Sequence, residues 1–344
     1  MHEQDLGESL TEQVRAAAAA GTPLRIAGGD SKAFHGRQVD AGCTSLCVAG
    51  HTGVVAYEPT ELAITLRAGT PLAEVEALLS EQGQQLPFEP PAFGPGATIG
   101  GAVASGLAGP RRPFAGAVRD AVLGVQLING RGERLDFGGR VMKNVAGYDV
   151  SRLMAGAQGT LGVLLEVSLK VLPSPQGELT LVQEVSASQA LERMIRWSRQ
   201  ALPITGLCHT DGRLYVRLGG GEQTLAETRQ QLGGEALGPG PSFWADLKEQ
   251  RLPFFGLPGP LWRLSLPPAT PLQDEGLLDW GGAQRWVIGD LAADELRERV
   301  ARAGGHATLF RHHDGRGEVF HPLPAPLLAL HRRVKQALDP QRLF

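Results

Sequence analysis

The chain has 344 residues, 33 basic against 36 acidic for a net charge of −3, and 42% of its residues are apolar. Its 46 glycines and 24 prolines are about a fifth of the chain, against about 12% in an average globular protein, yet they follow no collagen period and the apolar fraction suffices for cores. Collagen and wholesale disorder are excluded, and at this length about two domains are expected.

No run of Lys and Arg exceeds a pair and no apolar run approaches about 20 residues, so neither nucleic acid nor a transmembrane segment is expected. The acidic start His2-Glu3-Gln4-Asp5 and the short apolar run at 16–20 are not those of a secretory signal. Three cysteines, Cys43, Cys47 and Cys208, make neither a disulfide framework nor a four-thiolate cluster. The chain reads as cytoplasmic and reduced.

The first element expected is a helix opened by a capping box, Ser9-Leu10-Thr11-Glu12, carrying Leu10, Val14 and Ala17 at helical spacing and closed at Gly21. A strand over 24–27 then empties directly into Gly28-Gly29. Strands follow at 54–57 and 62–66, then a helix with Thr70 as N-cap, Pro71 at its first position and Gly83 as its stop. Residues 118–138 read as a hairpin around Asn129-Gly130-Arg131-Gly132. The clearest strand covers 163–171, where Val163, Leu165, Val167, Leu169 and Val171 alternate with Leu164, Glu166, Ser168 and Lys170.

Past Pro173-Ser174-Pro175 the composition changes, since all five tryptophans lie beyond it. There the pattern is a helix at 188–201, a hairpin around Asp211-Gly212, a helix at 222–232, a proline-rich passage from 239 to 271, a hairpin around Gly281-Gly282, and helices at 292–303 and 326–338. The expected fold class is α+β, with domains over 1–173 and 174–325 and a last helix in 326–344 returning toward the first domain.

Three glycine clusters fall in the first half: Arg25-Ile26-Ala27-Gly28-Gly29-Asp30-Ser31-Lys32, then 90–101 ending in Gly96-Ala97-Thr98-Ile99-Gly100-Gly101, and 143–163 with Gly156-Ala157-Gln158-Gly159-Thr160-Leu161-Gly162-Val163. Backbone N–H groups converge on an anion only where no Cβ blocks the approach, and glycines beside Ser or Thr supply that geometry. One such cluster is more often an ordinary turn; three in one domain, each beside a strand or helix, favour a ligand. The Gly-x-Gly-x-x-Gly turn of the Rossmann fold and the Walker loop are both missing, so the dinucleotide site is of another architecture.

At these residues the sequence resembles the vanillyl-alcohol-oxidase (PCMH-type) FAD-binding superfamily and, within it, the FAD-binding subunits of bacterial glycolate oxidases (glycolate dehydrogenases). Thr98-Ile99-Gly100-Gly101 marks the superfamily. Leu86-Pro87-Phe88-Glu89-Pro90-Pro91, Gly109-Pro110-Arg111-Arg112-Pro113, residues 137–173, Leu261-Trp262-Arg263-Leu264 and Trp280-Gly281-Gly282 mark the subunit. The resemblance implies a two-subdomain PCMH-type FAD domain followed by a smaller α+β cap-like domain, an antiparallel sheet with helices. It implies non-covalent FAD, because Ser31 and Lys32 stand where covalent members carry His or Cys. The diphosphate is expected on Ala27, Gly28, Gly29, Asp30, Ser31 and Lys32 and on Gly96, Ala97, Thr98, Ile99, Gly100 and Gly101. Pro90, Ser105, Gly106, Asn144, Gly147, Tyr148, Asp149, Gly159, Thr160, Gly162 and Val163 complete the expected cofactor set. Asp30 departs from the family, which commonly has glycine there.

The implied function is that of the FAD-binding subunit of a multi-subunit glycolate dehydrogenase, which oxidises the small 2-hydroxy acid glycolate to glyoxylate. The implied partners are a larger FAD-containing catalytic subunit and an iron–sulfur subunit, through which any membrane association would run. A free-standing D-lactate-type dehydrogenase and a scaffold subunit with a vestigial FAD fold are the alternatives. No catalytic residue is identified: the histidine-rich string of catalytic relatives is missing, His312-His313-Asp314 reads as a hairpin tip, and His306 as a core or supporting histidine. No metal site is expected. Arg111-Arg112 reads equally as a carboxylate or partner site and as a solvated loop, and Cys43 and Cys47 read as buried filler.

Overall fold

The computed structural model describes residues 3–139, 149–238, 242–273, 276–311 and 318–344. Two sheets organise it. A five-stranded antiparallel sheet runs in the order Val54–Glu58, Ala63–Arg67, Val163–Lys170, Val122–Ile128, Arg134–Gly138. The strand Val163–Lys170 is its centre, paired on both sides, and so Leu164 and Ser168 on its second face are buried as well as the alternating valines and leucines. The alternation predicts one buried face; Leu164 packs into a core cluster and Ser168 pairs with Thr65 at 2.9 Å, so the second face is covered there as well.

On this sheet lie the helices Leu72–Glu81 and Ile99–Ser105, closing a core of Ile64, Leu66, Val75, Leu79, Phe88, Ile99, Val167 and Leu169 among others. Beside it the parallel pair Leu24–Ala27 and Thr44–Cys47 joins the first helix, Gly7–Ala20, around Leu10, Val14, Leu46 and Val163. Two expected caps are not used. The first helix starts at Gly7, so Thr11 lies inside it with its hydroxyl bonded to Gly7 O, and Leu6 rather than Ser9 precedes it. Thr70 instead accepts from Gly53 N–H and donates to Arg67 O, while Pro71 precedes the helix. At Thr70 tertiary and local backbone partners take the side chain that a cap would have used, whereas Ser9 lies inside a helix that begins two residues earlier.

The eight-stranded cap sheet runs Glu235–Ala236, Gly177–Glu184, Arg213–Gly220, Ile204–Thr210, Leu277–Asp279, Gln284–Ile288, Leu261–Ser265, His306–Arg311. Its outer face packs on helices Ala187–Trp197, with Leu207, Val216 and Leu278, and Ala293–Arg302, with Trp262, Leu264 and Val287. The alternate residues, Cys208, Tyr215, Leu261, Trp286 and Phe310, form the inner face, which meets Leu107, Phe34 and Phe93 from the first half of the chain. The proline-rich passage thus holds structure that its composition hides, the helix Ser242–Lys248 and the strand Leu261–Ser265. His312, His313 and Asp314 lie outside the described residues.

The inner face is clamped by charge. Glu89 receives Arg111 Nε at 3.2 Å and Arg217 Nη1 at 2.9 Å, and Arg111 Nη2 reaches Glu178 at 2.7 Å. Burial pushes the Glu89 carboxyl up, but Arg217 and Arg111 together bring it below its ordinary range. Arg111 is only 6% exposed; of the two readings of that arginine pair, the solvated loop fails for Arg111, which is spent on this clamp. Glu249 accepts from Ala92 N–H and Phe93 N–H at 3.0 and 2.7 Å, and Trp280 Nε1 donates to Gly109 O at 3.0 Å. The subunit-specific strings around 86–91 and 109–113 are therefore the seam between the two halves.

Candidate cofactor site

A cavity of about 880 Å³ opens beside the first glycine cluster, within the range of about 300–1,000 Å³ usual for cofactor sites. Its wall is built by two loops pressed together. A Cβ at Gly29 would lie 1.4 Å from Gly96 O, so only glycine lets the backbones meet there. A Cβ at Gly100 would lie 2.7 Å from Ala68 O, which accepts the Gly100 N–H at 2.8 Å and seats the short helix Ile99–Ser105 on the strand end.

The N–H groups of Gly28, Gly29, Asp30, Ser31 and Lys32 have no acceptor among the described residues. Opposite them Thr98 caps the helix, accepting from Gly101 N–H at 3.1 Å, and its hydroxyl proton has no acceptor among the described residues either. Unpaired donors of this kind cost free energy unless an anion or water receives them. The donor set fits a diphosphate.

Two side chains tune this wall. Asp30 sits at φ +58°, a conformation asparagine, aspartate and glycine tolerate best. Its carboxylate turns back to Arg25 Nη2 at 2.5 and 2.6 Å, and that bond raises the guanidinium above its usual value. The negative charge is thereby offset before it can oppose an anion. Lys32 is brought down to about 8, by burial first and by Lys248, with Glu249 opposing. Its Nζ donates to Ala92 O at 3.2 Å.

Of the residues expected from sequence, Ala27, Gly28, Gly29, Asp30, Ser31, Lys32, Thr98, Gly100, Gly101, Ser105, Gly159, Thr160 and Gly162 line the cavity. The others do not. Pro90 is buried behind it, Gly96 backs onto Gly29, Ala97, Ile99 and Val163 point into the cores, Gly106 ends the helix, and Asp149 caps Val150–Leu153. Asn144, Gly147 and Tyr148, with Lys143, lie outside the described residues.

Sequence reasoning missed Ala68, Ala104, Gln158, Phe320 and the tail Arg342-Leu343-Phe344, all in the cavity wall. The tail is held by Asp339, which is fully buried and accepts from Leu343 N–H, Phe344 N–H and Lys335 Nζ, while Leu343 O receives Leu24 N–H. A return of the last helix toward the first domain is expected from the sequence, but no local pattern announces that the residues after it reach the cavity wall. Cys43 is half-buried and Cys47 exposed, against the filler reading, because the pair Leu24–Ala27 and Thr44–Cys47 is a two-stranded edge and Cys43 lies in the cavity wall. No group of three or more potential metal ligands is found among the described residues, and none of their helices is long and apolar enough to cross a membrane.

Compared with known proteins, residues 7–138 match the FAD binding domain family. The chain is 52% identical to the glycolate oxidase subunit GlcE of Escherichia coli over 348 residues, covering 100% of this chain and 97% of that protein. It is 34% identical over 119 residues to a D-2-hydroxyglutarate dehydrogenase of Xanthomonas citri pv. viticola, only 25% of that enzyme, and 30% identical over 129 residues to the glycolate oxidase subunit GlcD of Bacillus subtilis, 27% of its length. An alkyldihydroxyacetonephosphate synthase structure shares the fold, with a TM-score of 0.65 at 14% identity over 100% of this chain and 74% of that one. FAD is the cofactor of this domain, and the protein is a flavoprotein of the oxidoreductase class. By its likeness along the whole of both chains, the protein belongs to the glycolate oxidase subunit GlcE family.

Proposed function

We propose that this chain is the FAD-binding subunit of a multi-subunit glycolate dehydrogenase, with the FAD diphosphate received by the N–H row of Gly28 to Lys32 and by the Thr98 hydroxyl. The observation that carries this is the row itself, five consecutive donors without an acceptor among the described residues, opposite a second glycine loop. Bound FAD would supply the acceptor for the hydride that leaves a 2-hydroxy acid.

The chain's own residues hold and orient. Arg25 keeps the Asp30 carboxylate turned away from the diphosphate, and Gly29 and Gly96 set the distance between the two loops. Phe34, Phe93 and Phe310 pack between this cavity and the cap sheet and keep water out of that layer. Lys32 brings a cation to one end of the wall.

With three cysteines the chain cannot complete a four-thiolate cluster of its own, so electrons leave to O₂ or to another protein, and likeness to the subunit of a complex favours the second. We assign that role to an iron–sulfur subunit, and pair the chain with a larger flavoprotein subunit. The test is purification of the complex from cells expressing the full chain with a tag. The expected result is about one FAD per chain, released on denaturation without protease treatment, together with an iron–sulfur protein and a longer flavoprotein. A colourless chain that takes up no added FAD would overturn the reading.

A further inference from the structure

The inner face of the cap sheet carries a basic cluster that the clamp does not use. Arg263 projects from the strand Leu261–Ser265 on the same face as Trp286 and Phe310, half-buried, into a small space walled by Pro91, Phe93, Leu107 and Gly109 from the first half of the chain. Among the described residues it has no hydrogen-bond acceptor and no carboxylate partner, only the Phe310 ring, 5.4 Å from its guanidinium. Arg112 is nearby, stacked 4.4 Å over Trp280, and its guanidinium likewise has no acceptor among the described residues. The imidazole of His306 feels both charges at the exposed rim.

Such a grouping is unfavourable by itself. Burial and then Arg112 bring Arg263 down to about 10, and burial followed by Arg263, His321 and Arg112 lowers His306. Arg111 and Arg217 share Glu89, and Arg285 donates to the carbonyls of Gly282, Thr270 and Pro271, whereas Arg311, stacked on Phe34 and Phe93, is like Arg263 and Arg112 without an acceptor among the described residues. A half-buried guanidinium without a protein acceptor at this seam is able to receive an anion.

We infer that Arg263 binds the carboxylate of a small organic acid at the seam between the cap sheet and the FAD-binding half. The inference rests on the function proposed above, and it places an acid-binding site in this chain rather than only in a partner. The space is about 20 Å³, room for about one or two water-sized groups, so it admits a carboxylate group while the rest of the acid lies outside it. Asp279 lines the same space, its carboxyl raised to about 7 by burial, and so holds a group able to exchange a proton near neutrality. Phe310, beneath Arg263, is 5.0 Å from the ring of His35, and His35 lines the large cavity. The two sites are therefore one aromatic layer apart.

The same guanidinium chemistry would serve an anionic group of FAD itself, and the test separates the two. Oxalate and glycolate are titrated by calorimetry into the purified full chain with FAD bound, and into Arg263→Met and Arg263→Lys. The expected result is unchanged FAD content in all three, oxalate affinity lowered about tenfold or more in Arg263→Met, and partial recovery in Arg263→Lys. Arg263→Met is also expected to melt no lower than wild type in buffer free of organic acids, because it removes an unmatched charge.

Equal oxalate affinity in wild type and Arg263→Met, or no binding to either, would overturn the inference while leaving the FAD-subunit reading intact. Loss of FAD from both variants would assign Arg263 to the cofactor and overturn it too. Should Arg263→Met fail to fold, Arg263→Lys decides alone: unaltered oxalate binding there counts against a site that needs the planar two-pronged donor.

Discussion

The two ligand-facing regions of this protein are made in opposite ways. The wall of the large cavity is backbone: five N–H groups, glycines at Gly29 and Gly100 that no other residue could replace, and one threonine hydroxyl. The seam under the cap sheet is side chain: Glu89, Arg111, Arg217, Glu249, Arg263 and Asp279, drawn from segments far apart in the sequence. A backbone site is set by local conformation and tolerates no added atoms. A side-chain site is set by long-range pairing and tolerates little loss of charge. Each kind should fail in its own way.

The sharpest break is at the cavity wall. Gly29→Val places a Cβ where Gly96 O lies at 1.4 Å, and backbone oxygen cannot move aside as a side chain can. Ordinary overpacking costs about 1–3 kcal/mol; here about 4 kcal/mol or more is expected, with complete loss of FAD. Flavin absorbance per chain after gel filtration, with urea unfolding of whatever folds, measures both. Stoichiometric FAD in this variant would mean the loops do not meet as described.

At the seam, Glu89→Gln leaves Arg111 and Arg217 without their shared carboxylate. Removing one member of a buried charge network costs about 3–5 kcal/mol, and about 3 kcal/mol is expected because Glu178 and the Thr205 oxygens still receive part of the two guanidinium groups. FAD should stay bound at moderate temperature, since Glu89 does not line the cavity. Thermal unfolding followed at once by flavin release and by tryptophan fluorescence would separate the two regions: fluorescence is expected to change first, because all five tryptophans belong to the cap half.

This difference also explains what was legible in the sequence. Gly28, Gly29, Gly100 and Gly101 announced themselves because a backbone site must be written in consecutive residues. The hairpins at Asp211-Gly212 and at 129–132, and the helix Glu222–Leu232, were legible for the same local reason. Arg111 read as plausibly solvated because nothing near it in sequence reveals Glu89, Arg217 or Glu178, and Arg263 lay in a proline-rich passage with no element expected, until Phe310 and Trp286 placed it on the inner face. The cap at Thr70 failed because Gly53, distant in sequence, outcompeted the pattern, and that at Ser9 because the helix begins two residues before it.

Asp279 sharpens the contrast through pH. Burial raises its carboxyl to about 7, against donation from Trp280 N–H and Gln284 Nε2. Because the folded value lies above the unfolded one, the stability tied to the neutral acid is complete below about 3.8 and is lost as pH climbs through 7. Asp279→Asn keeps an acceptor for Trp280 N–H, and Gln284 can turn its own oxygen to the new amide. The variant should exceed wild type by about 2 kcal/mol at pH 8 and by nothing at pH 3.5. Urea midpoints at the two pH values check this, and a variant equally displaced at both would show that geometry rather than charge is what Asp279 supplies.

The smallest effect brings the two regions together, because Lys32 belongs to the cavity wall yet takes its charge environment from the seam. Burial first, and then Lys248, lower it to about 8, while Glu249 pulls upward. An FAD diphosphate arriving at the neighbouring N–H row adds negative charge and favours the protonated amine, so binding takes up a proton when the free protein has lost it. FAD affinity should then be flat below pH 7 and fall by up to about tenfold between pH 7 and 9, or about 1.4 kcal/mol. The sign follows from the bound form having the higher pKa of the two. Lys32→Met should bind FAD more weakly at pH 7 and lose this slope, whereas wild type and variant should converge near pH 9. Fluorescence quenching of FAD by the chain stripped of its cofactor, repeated across that range, reads the slope directly, and parallel curves for the two proteins would place the Lys32 amine out of reach of the diphosphate.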